Sequence, residues 1–352
     1  NGKSLSYLLT SSLITFKITI VIIPLIVLKA DILNRAKSFN IPCSVWEENR
    51  EFKNLTLISI ESIIKESFIV KLIELINEKK IDRFIIDKCH LLITSSHYRN
   101  IMFRFRSLLL TKCQFVFLTS TLPLSIEKQL MNHLSLQNIS IIRAPSTRNN
   151  IVYKAKIFDS FNIENQFTEV RTYIEDFKIT SFLNNKDKII IFGPSKKDVN
   201  SLSSFLNCSF YHSDLGLLEQ NRVLNDFFNV FNDFNRIIVS TSGLEEGIDY
   251  SSVRLVIYFK FCWSFIGFLQ GSSRGGRDLR PSESCFFYNK SEENDKPSDF
   301  DSDRTELRKY LRESICRRKV IDLYLDNNIT EECLPFQEMC DLCTEREELK
   351  NM

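Results

Sequence analysis

The stretch RFIIDKCHLLIT, Arg83 to Thr94, is an apolar run that ends on Asp87, with Lys88 next to it and His90 three positions on. A carboxylate at the end of a buried strand can hold Mg²⁺ through water, although capping a turn is the commoner duty of such an aspartate. The chain opens Gly2-Lys3-Ser4 ahead of a helical pattern. Amides at a helix N-terminus and the Lys3 ammonium would hold phosphate there, and the Ser4 hydroxyl would ligate Mg²⁺. The tripeptide alone carries little weight. One strand after Asp87, LTSTLP (Leu118 to Pro123) offers the Thr119 and Thr121 hydroxyls, which read either as a link to the nucleotide or as an ordinary Ser/Thr turn.

Glycine is scarce, with only 9 residues, where about 7% usage would give roughly 25. Gly2, Gly243, Gly247, Gly271, Gly275 and Gly276 fall in the opening loop and in two later segments, VSTSGLEEGIDYSSVRLVIYF and QGSSRGGRD. Such clustering points to backbone constraint or close ligand approach. Arg274 and Arg277, three apart, are expected on one helical face from which they could reach a phosphate. An isolated pair of this kind would be no more than a solvated basic face. Of the ten cysteines, Cys43, Cys89, Cys113, Cys208, Cys262 and Cys285 are scattered and read as small buried hydrophobes. Cys316, Cys333, Cys340 and Cys343 differ, because the terminal Cys-x-x-Cys spacing lets two thiolates chelate one tetrahedral metal, and zinc is favoured over disulfides.

These residues need a framework of short β-branched strands alternating with amphipathic helices. ITIVIIPLIVL, NLTLISI, RFIIDK and CQFVFLTSTLP read as strands, and ADILNRAKSF, IESIIKESFIVKLIELINEK and SIEKQLMNHLS as helices. A second round follows Asn150, with strands KIIIFGPS, RIIVSTS, VRLVIYFK and ESCFFYNK and helices KKDVNSLSSFLN and EQNRVLNDFFNVF. That alternation predicts two parallel α/β domains in tandem. The boundaries expected are 1–147, 148–290, an acidic linker 291–304 and a cysteine-bearing tail 305–352. With 43% hydrophobic and 26% charged residues and a net charge of +2, the chain is ordinary globular material, and any nucleic-acid path must be a local basic stripe. Lys17 and Pro24 interrupt the apolar run near the start, which argues for a buried strand rather than a membrane span.

In this order the segments resemble the RecQ-type DNA helicases of superfamily 2. GKSLSY looks like their phosphate loop, VIIPLIVLKADIL like the DNA-contacting segment after the second strand, and DKCH like the Asp-Glu-x-His box. LTSTLP resembles the Thr-Ala-Thr motif, STRNNIVY the Arg-x-Asn-Ile-x-Tyr signature that opens the second domain, and the two glycine-bearing segments the last motor motifs. CRRKVIDLYLDNN with the later CDLC looks like the RecQ zinc subdomain. CSFYHS and STRNNIVY lean towards the fungal telomere-linked branch. The resemblance implies two tandem RecA-like parallel-sheet domains plus a small helical zinc-binding subdomain. It implies ATP, Mg²⁺ and Zn²⁺ as cofactors, single-stranded DNA and duplex junctions as partners, no membrane, and a nuclear location. Gly2, Lys3, Ser4, Thr119, Thr121, Gly247 and Asp249 would serve nucleotide binding, with Ser4 and Asp87 on magnesium. Gln270 and Arg274 would line an interdomain cleft, Arg277 would be the arginine finger, and Cys316, Cys333, Cys340 and Cys343 would hold zinc. The reaction implied is ATP-driven 3′-to-5′ unwinding of duplex DNA.

Several positions depart from that pattern. Lys88 stands where the family has the glutamate that activates water, and a cationic side chain cannot act as that base near neutral pH without a large shift. Ser120 replaces Ala and Glu245 replaces Gly, and the usual aromatic-rich loop is reduced to LLITSSHYRNIMFRF. The sequence begins at Asn1, so it reads as a fragment whose phosphate-loop strand and adenine-reading stretch would lie upstream, and no winged-helix domain follows the tail. A rival reading is therefore a non-hydrolysing nucleic-acid and ATP-binding remnant. A third, a duplex-RNA helicase-like ATPase, draws on EEGID and is opposed by the cysteine pattern.

Overall fold

The computed structural model describes all residues except 1–2, 15, 25, 49–50, 95–98, 182, 246–249, 261–263, 292–301, 313 and 330. The chain divides into two compact units, Asn1–Ala144 and Pro145–Met352.

The first unit runs α1 (Lys3–Leu13), β1 (Ile18–Ile23), α2 (Ile26–Ser38), β2 (Cys43–Val45), β3 (Leu55–Ser59), α3 (Glu66–Asn77) and β4 (Ile81–Asp87), followed by α4 (Leu91–Thr94), α5 (Arg99–Leu109), β5 (Gln114–Leu118) and α6 (Leu124–Leu134). Its sheet is parallel in the order β2-β3-β1-β4-β5. Side chains alternate between two cores, as the strand period of two requires. Val21, Ile23, Leu55, Leu57 and Ile85 pack with Tyr7 and Leu8 of α1. Ile20, Ile22, Ile58, Phe84 and Ile86 face the opposite way, onto Phe68 and Leu72 of α3 and Phe105 of α5.

Two expected elements break earlier than their periodicity suggests. ITIVIIPLIVL is a strand only to Ile23, and α2 begins at Ile26, because Pro24 has no N–H to donate to a ladder. The long helix expected from Ile60 is a 3₁₀ turn (Ile60–Ile64) and then α3, separated by extended backbone at Lys65 (ψ 135°). The hydroxyls of Ser59 and Ser62 meet at 2.8 Å in that turn.

The second unit runs β6 (Ile151–Ile157), α7 (Ile163–Thr180), β7 (Lys188–Phe192), α8 (Lys196–Leu206), β8 (Ser209–Tyr211) and α9 (Leu217–Asn229), then β9 (Ile237–Ser240), β10 (Val253–Phe259), α10 (Phe265–Ser272), β11 (Ser282–Tyr288), α11 (Ser302–Arg312), α12 (Arg317–Asp326) and α13 (Asp341–Asn351). Its sheet is also parallel, in the order β6-β11-β10-β7-β9-β8. The helix α7 carries signals that mark it in the sequence: Phe167, Val170 and Ile174 bury one face, and Asn162 caps it by accepting from the amides of Glu164 and Asn165.

The cysteine-bearing tail is not a separate body. Leu307, Tyr310, Leu311, Val320, Ile321 and Leu325 join Phe192, Tyr258, Phe265, Phe268 and Phe286 in one continuous core. The linker expected over 291–304 ends at least three residues early, since Ser302–Arg312 is helical and the Asp303 carboxylate accepts from the Phe265 amide at the start of α10 (2.7 Å). Among the described residues no helix is long and apolar enough to cross a membrane.

A buried ion pair closes the lower edge of this sheet. Arg254, at the start of β10, donates from Nε to Asp187 at 2.9 Å, with both side chains almost wholly buried. It also contacts Asp278 and donates to the carbonyls of Arg280 and Pro281. Arg254→Met should therefore lose about 3–5 kcal/mol in urea unfolding, because it leaves the buried Asp187 carboxylate to the longer contact with half-exposed Arg280 at 3.5 Å. Adding Asp187→Leu to Arg254→Met should return a large part of that loss.

Candidate nucleotide and metal sites

In the first unit the expected phosphate and magnesium residues lie together at the C-terminal ends of strands. Lys3 opens α1, Asp87 ends β4, and Thr119 follows β5 directly. Tyr7, one turn along α1 from Lys3, donates its phenol to Asp87 Oδ2 at 3.4 Å. It thus ties α1 to one of the expected magnesium ligands, a role not read from the sequence. Gly2 lies outside the described residues.

Burial sets the electrostatics here. It lowers the Lys3 ammonium to about 8, against the pull of Asp87 in the other direction. Burial also pushes the Asp87 carboxyl up, opposed by the charge and backbone N–H of Lys88, the Tyr7 phenol and Lys3. Lys88 has φ +59°, a left-handed conformation that a side chain adopts only at some cost. That turn aims its N–H at Asp87 Oδ1 (2.9 Å). Its charge acts on Asp87, Lys3 and His90 alike.

The two neighbours Cys89 and His90 are both poor bases where they stand. Cys89 is buried and its thiol is pushed up to about 12. Burial lowers His90 to about 3, so it is neutral, and its Nδ1 pairs with Thr119 Oγ1 at 2.7 Å. Thr119 Oγ1 in turn meets the amide and carbonyl of Thr121 at 3.3 Å. A chain of hydrogen bonds therefore joins the end of β4 to the loop after β5.

In the second unit, the expected arginines are not on a helical face. The helix α10 ends at Ser272, and Arg274 and Arg277 sit in the turns that follow. The requirement for turns is local: Gly276 has φ +55°, and a Cβ there would collide with the Asn150 amide and lie 2.6 Å from the Arg280 carbonyl. Arg274 is buried and donates from Nε (2.7 Å) and Nη2 to the Glu245 carbonyl, bracing one loop against another. Gln270 is buried in α10, its carbonyl accepting from the Ser273 hydroxyl. Gly247 and Asp249 lie outside the described residues.

The four late cysteines do come together. Cys316 precedes α12, Cys340 precedes α13, Cys343 lies in its first turn and Cys333 in the loop between. Their sulfurs all lie within 4.8 Å of one another, with Cys316 to Cys333 at 3.5 Å and Cys316 to Cys340 at 3.8 Å. A disulfide would need about 2.05 Å. A tetrahedron of sulfurs about 2.3 Å from a central ion has edges of about 3.8 Å, so this donor set fits a zinc-sized ion. The surroundings suit thiolates: the Arg317 amide points at Cys340 Sγ (3.4 Å), the Cys340 amide at Cys333 Sγ (3.3 Å) and Arg346 at Cys343 Sγ (3.6 Å). Hydrogen bonds from Cys316 and Cys333 hold Cys340 well below the usual thiol range.

Residues 171–278 match the family of helicase conserved C-terminal domains. Across 98% of its length the chain is 25% identical to the ATP-dependent DNA helicase hus2/rqh1 of Schizosaccharomyces pombe, of which it covers 28%. Across 97% it is 23% identical to the ATP-dependent DNA helicase RecQ of Haemophilus influenzae, of which it covers 57%. The chain is a relative of the RecQ-type superfamily 2 helicases. It thus spans well under two thirds of either RecQ-type relative. The solved structure of S. cerevisiae Dbp5 bound to RNA and ADP BeF3 shares the fold, with a TM-score of 0.60 at 17% identity over 83% of this chain and 77% of that one. The two parallel-sheet units are those of RecA-like helicase folds.

The lowered pKa of Lys3 provides a pH test of its expected role as an anion-binding residue. Its ammonium is charged below about 8 and neutral above, so affinity for inorganic triphosphate should fall as pH rises from 7 to 9. Lys3→Arg should flatten that fall, since guanidinium stays protonated. The linkage to stability has the opposite sense. The unfolded chain binds the proton more tightly, so the cost of burying Lys3 is full below about 8 and fades as pH rises towards 10.5.

Proposed function

We propose that this chain is the motor core of a RecQ-type DNA helicase that binds ATP and Mg²⁺ but does not cleave the nucleotide at an appreciable rate. The family relation supports ATP and DNA as ligands, and the 3′-to-5′ direction rests on the same resemblance. The observation that carries the reading is the placement of Lys88: just beyond the β4 end, its charge acting on both Lys3 and Asp87. At that point the family reaction needs a base for water, and an ammonium draws the γ-phosphate without taking a proton. In this reading Lys3 holds phosphate, Ser4 and Asp87 hold magnesium, and Thr119 and Thr121 link that site to the following loop. Arg277 is, in the same reading, the arginine that meets the transferred phosphate, a contact worth about 10³- to 10⁵-fold in related NTPases.

Native protein should show negligible ATPase with or without single-stranded DNA. Lys88→Glu, in a protein that also carries the upstream phosphate-loop strand, should restore part of a DNA-stimulated turnover. Robust turnover by the unmutated chain would overturn the reading, and an inert Lys88→Glu that still binds nucleotide would place the defect elsewhere as well.

Cys316, Cys333, Cys340 and Cys343 would hold one structural Zn²⁺, whose contribution is to lock α12, α13 and the intervening loop. Purified protein should carry about one zinc per chain. Cys340→Ser should lose it and lower the thermal midpoint, as should a strong chelator; retention of metal by Cys340→Ser would sink the four-cysteine site.

A further inference from the structure

Residues 146–151 lie between the cysteine module and the turn that carries Arg277, and they bond to both. Towards the turn, Arg148 donates from Nη1 to the carbonyls of Ser273 (3.2 Å) and Gly275 (3.0 Å) and from Nη2 to that of Gly276 (2.6 Å). The Asn150 amide donates to the carbonyls of Gly276 (2.8 Å) and Arg280 (2.7 Å). The absent Cβ of Gly276 is what lets Asn150 come so close. Two side chains thus hold the backbone of the arginine turn on both flanks of Arg277.

Towards the module, the backbone of the same segment is gripped by one face of α12. Arg318 is wholly buried and donates to the carbonyls of Arg148 (2.9 Å), Asn149 (3.2 Å) and Ile151 (2.5 Å). Asp322, one turn on, accepts from the Thr147 hydroxyl (2.6 Å). Asp326, a further turn on, accepts from the Ser146 amide (2.7 Å) and hydroxyl (2.8 Å). The spacing of four puts all three on one helix face. From the loop before α13, the Glu338 amide donates to the Asn149 carbonyl (2.7 Å), and the Glu338 carbonyl accepts from Arg318 (3.1 Å). Arg318 is two residues after Cys316 and Glu338 two before Cys340, so both grips hang directly on the cysteine cluster.

We propose that Arg148 and Asn150 are positioning residues for the turn 273–280, and that the cysteine module holds them in register, so that metal on the cluster governs how Arg277 is presented. This rests on the reading of Arg277 given above as the arginine that meets phosphate. Apart from the Arg318 bond to the Ile151 carbonyl, the bonds involved lie beyond the end of the β6–β11 ladder, which pairs Ile151–Ile157 with Ser282–Tyr288 by its own backbone. The turn can therefore be released while the sheet stays paired, and that separates positioning from simple support of the fold.

Hydrogen exchange on the full chain tests this without requiring turnover. In Arg148→Gln and in Asn150→Ala, the amides of 273–280, including those of Gly276 and Asp278 that bond Val253 and Ser251, should exchange roughly 10- to 100-fold faster, while β10 and β11 keep their protection. Arg148→Lys, which keeps the charge and one donor direction, should recover part of the protection. Wild-type protein stripped of metal by a chelator should show the same local acceleration. Unchanged exchange over 273–280 in Arg148→Gln overturns the proposal, and so does acceleration spread equally over β10 and β11. If the chelated protein keeps the turn protected, the link to the cysteine cluster fails. ATP-analogue binding by Arg277→Ala is the separate check on the reading beneath: no loss of affinity there removes the role of Arg277, whatever the exchange data show.

Discussion

A parallel strand covered on both faces can carry charge only at its ends. Both sheets obey this, with strand interiors of Ile, Val, Leu and Phe that are almost fully buried, and the polar groups follow from it. Asp87 ends β4, His90 and Thr119 meet just past β4 and β5, and Arg274 and Arg277 follow α10, which itself follows β10. At the opposite end of the second sheet, buried charge is paired or hydrogen-bonded: Arg254 with Asp187 and Asp278, Glu283 with Lys154, and Lys188 with the carbonyls of Val230 and Asn235. The chemistry gathers at one end of each sheet because the alternative positions would require unpaired charge in a core.

The parts of the fold legible in the sequence were those whose physics is local. Strand composition marked β1, β3, β4, β7, β10 and β11, and the alternation of elements marked the parallel class. The errors came where one residue overrides a period. Pro24 ends a strand inside an apolar run, and extended backbone at Lys65 divides what looks like one amphipathic helix. Arg274 and Arg277 were three apart, but Gly275 and Gly276 between them turn the chain instead of continuing α10. The cysteines were legible as a ligand set because thiol chemistry and spacing are written in sequence. Their tie to Arg148 and Asn150 was not, because it depends on which carbonyls a long-range fold brings within reach.

Lys88 shows how a site can change without the fold. Its backbone is left-handed and its amide serves Asp87, and neither feature depends on what lies beyond its Cβ. The surrounding network of Tyr7, His90 and Thr119 is complete with lysine in place. The side chain at this position and the architecture are therefore separable, which is why the core is well packed with lysine there.

The grip of α12 and α13 on the start of the second unit has a consequence for synthesis. Arg318 meets carbonyls 167 to 170 residues earlier, and Asp341 accepts from the Ala155 amide 186 residues earlier. The edge strand β6 emerges from the ribosome long before these partners do. At about 5–20 residues per second, it waits roughly 10–40 s for α13. During that interval the first unit, Asn1–Ala144, has all of its described strands and helices out of the ribosome. The second does not, and its half-built sheet is exposed to chaperones and to other nascent chains. Vectorial synthesis thus gives the two halves different folding schedules, and the later half is the one that must also assemble the four-cysteine cluster.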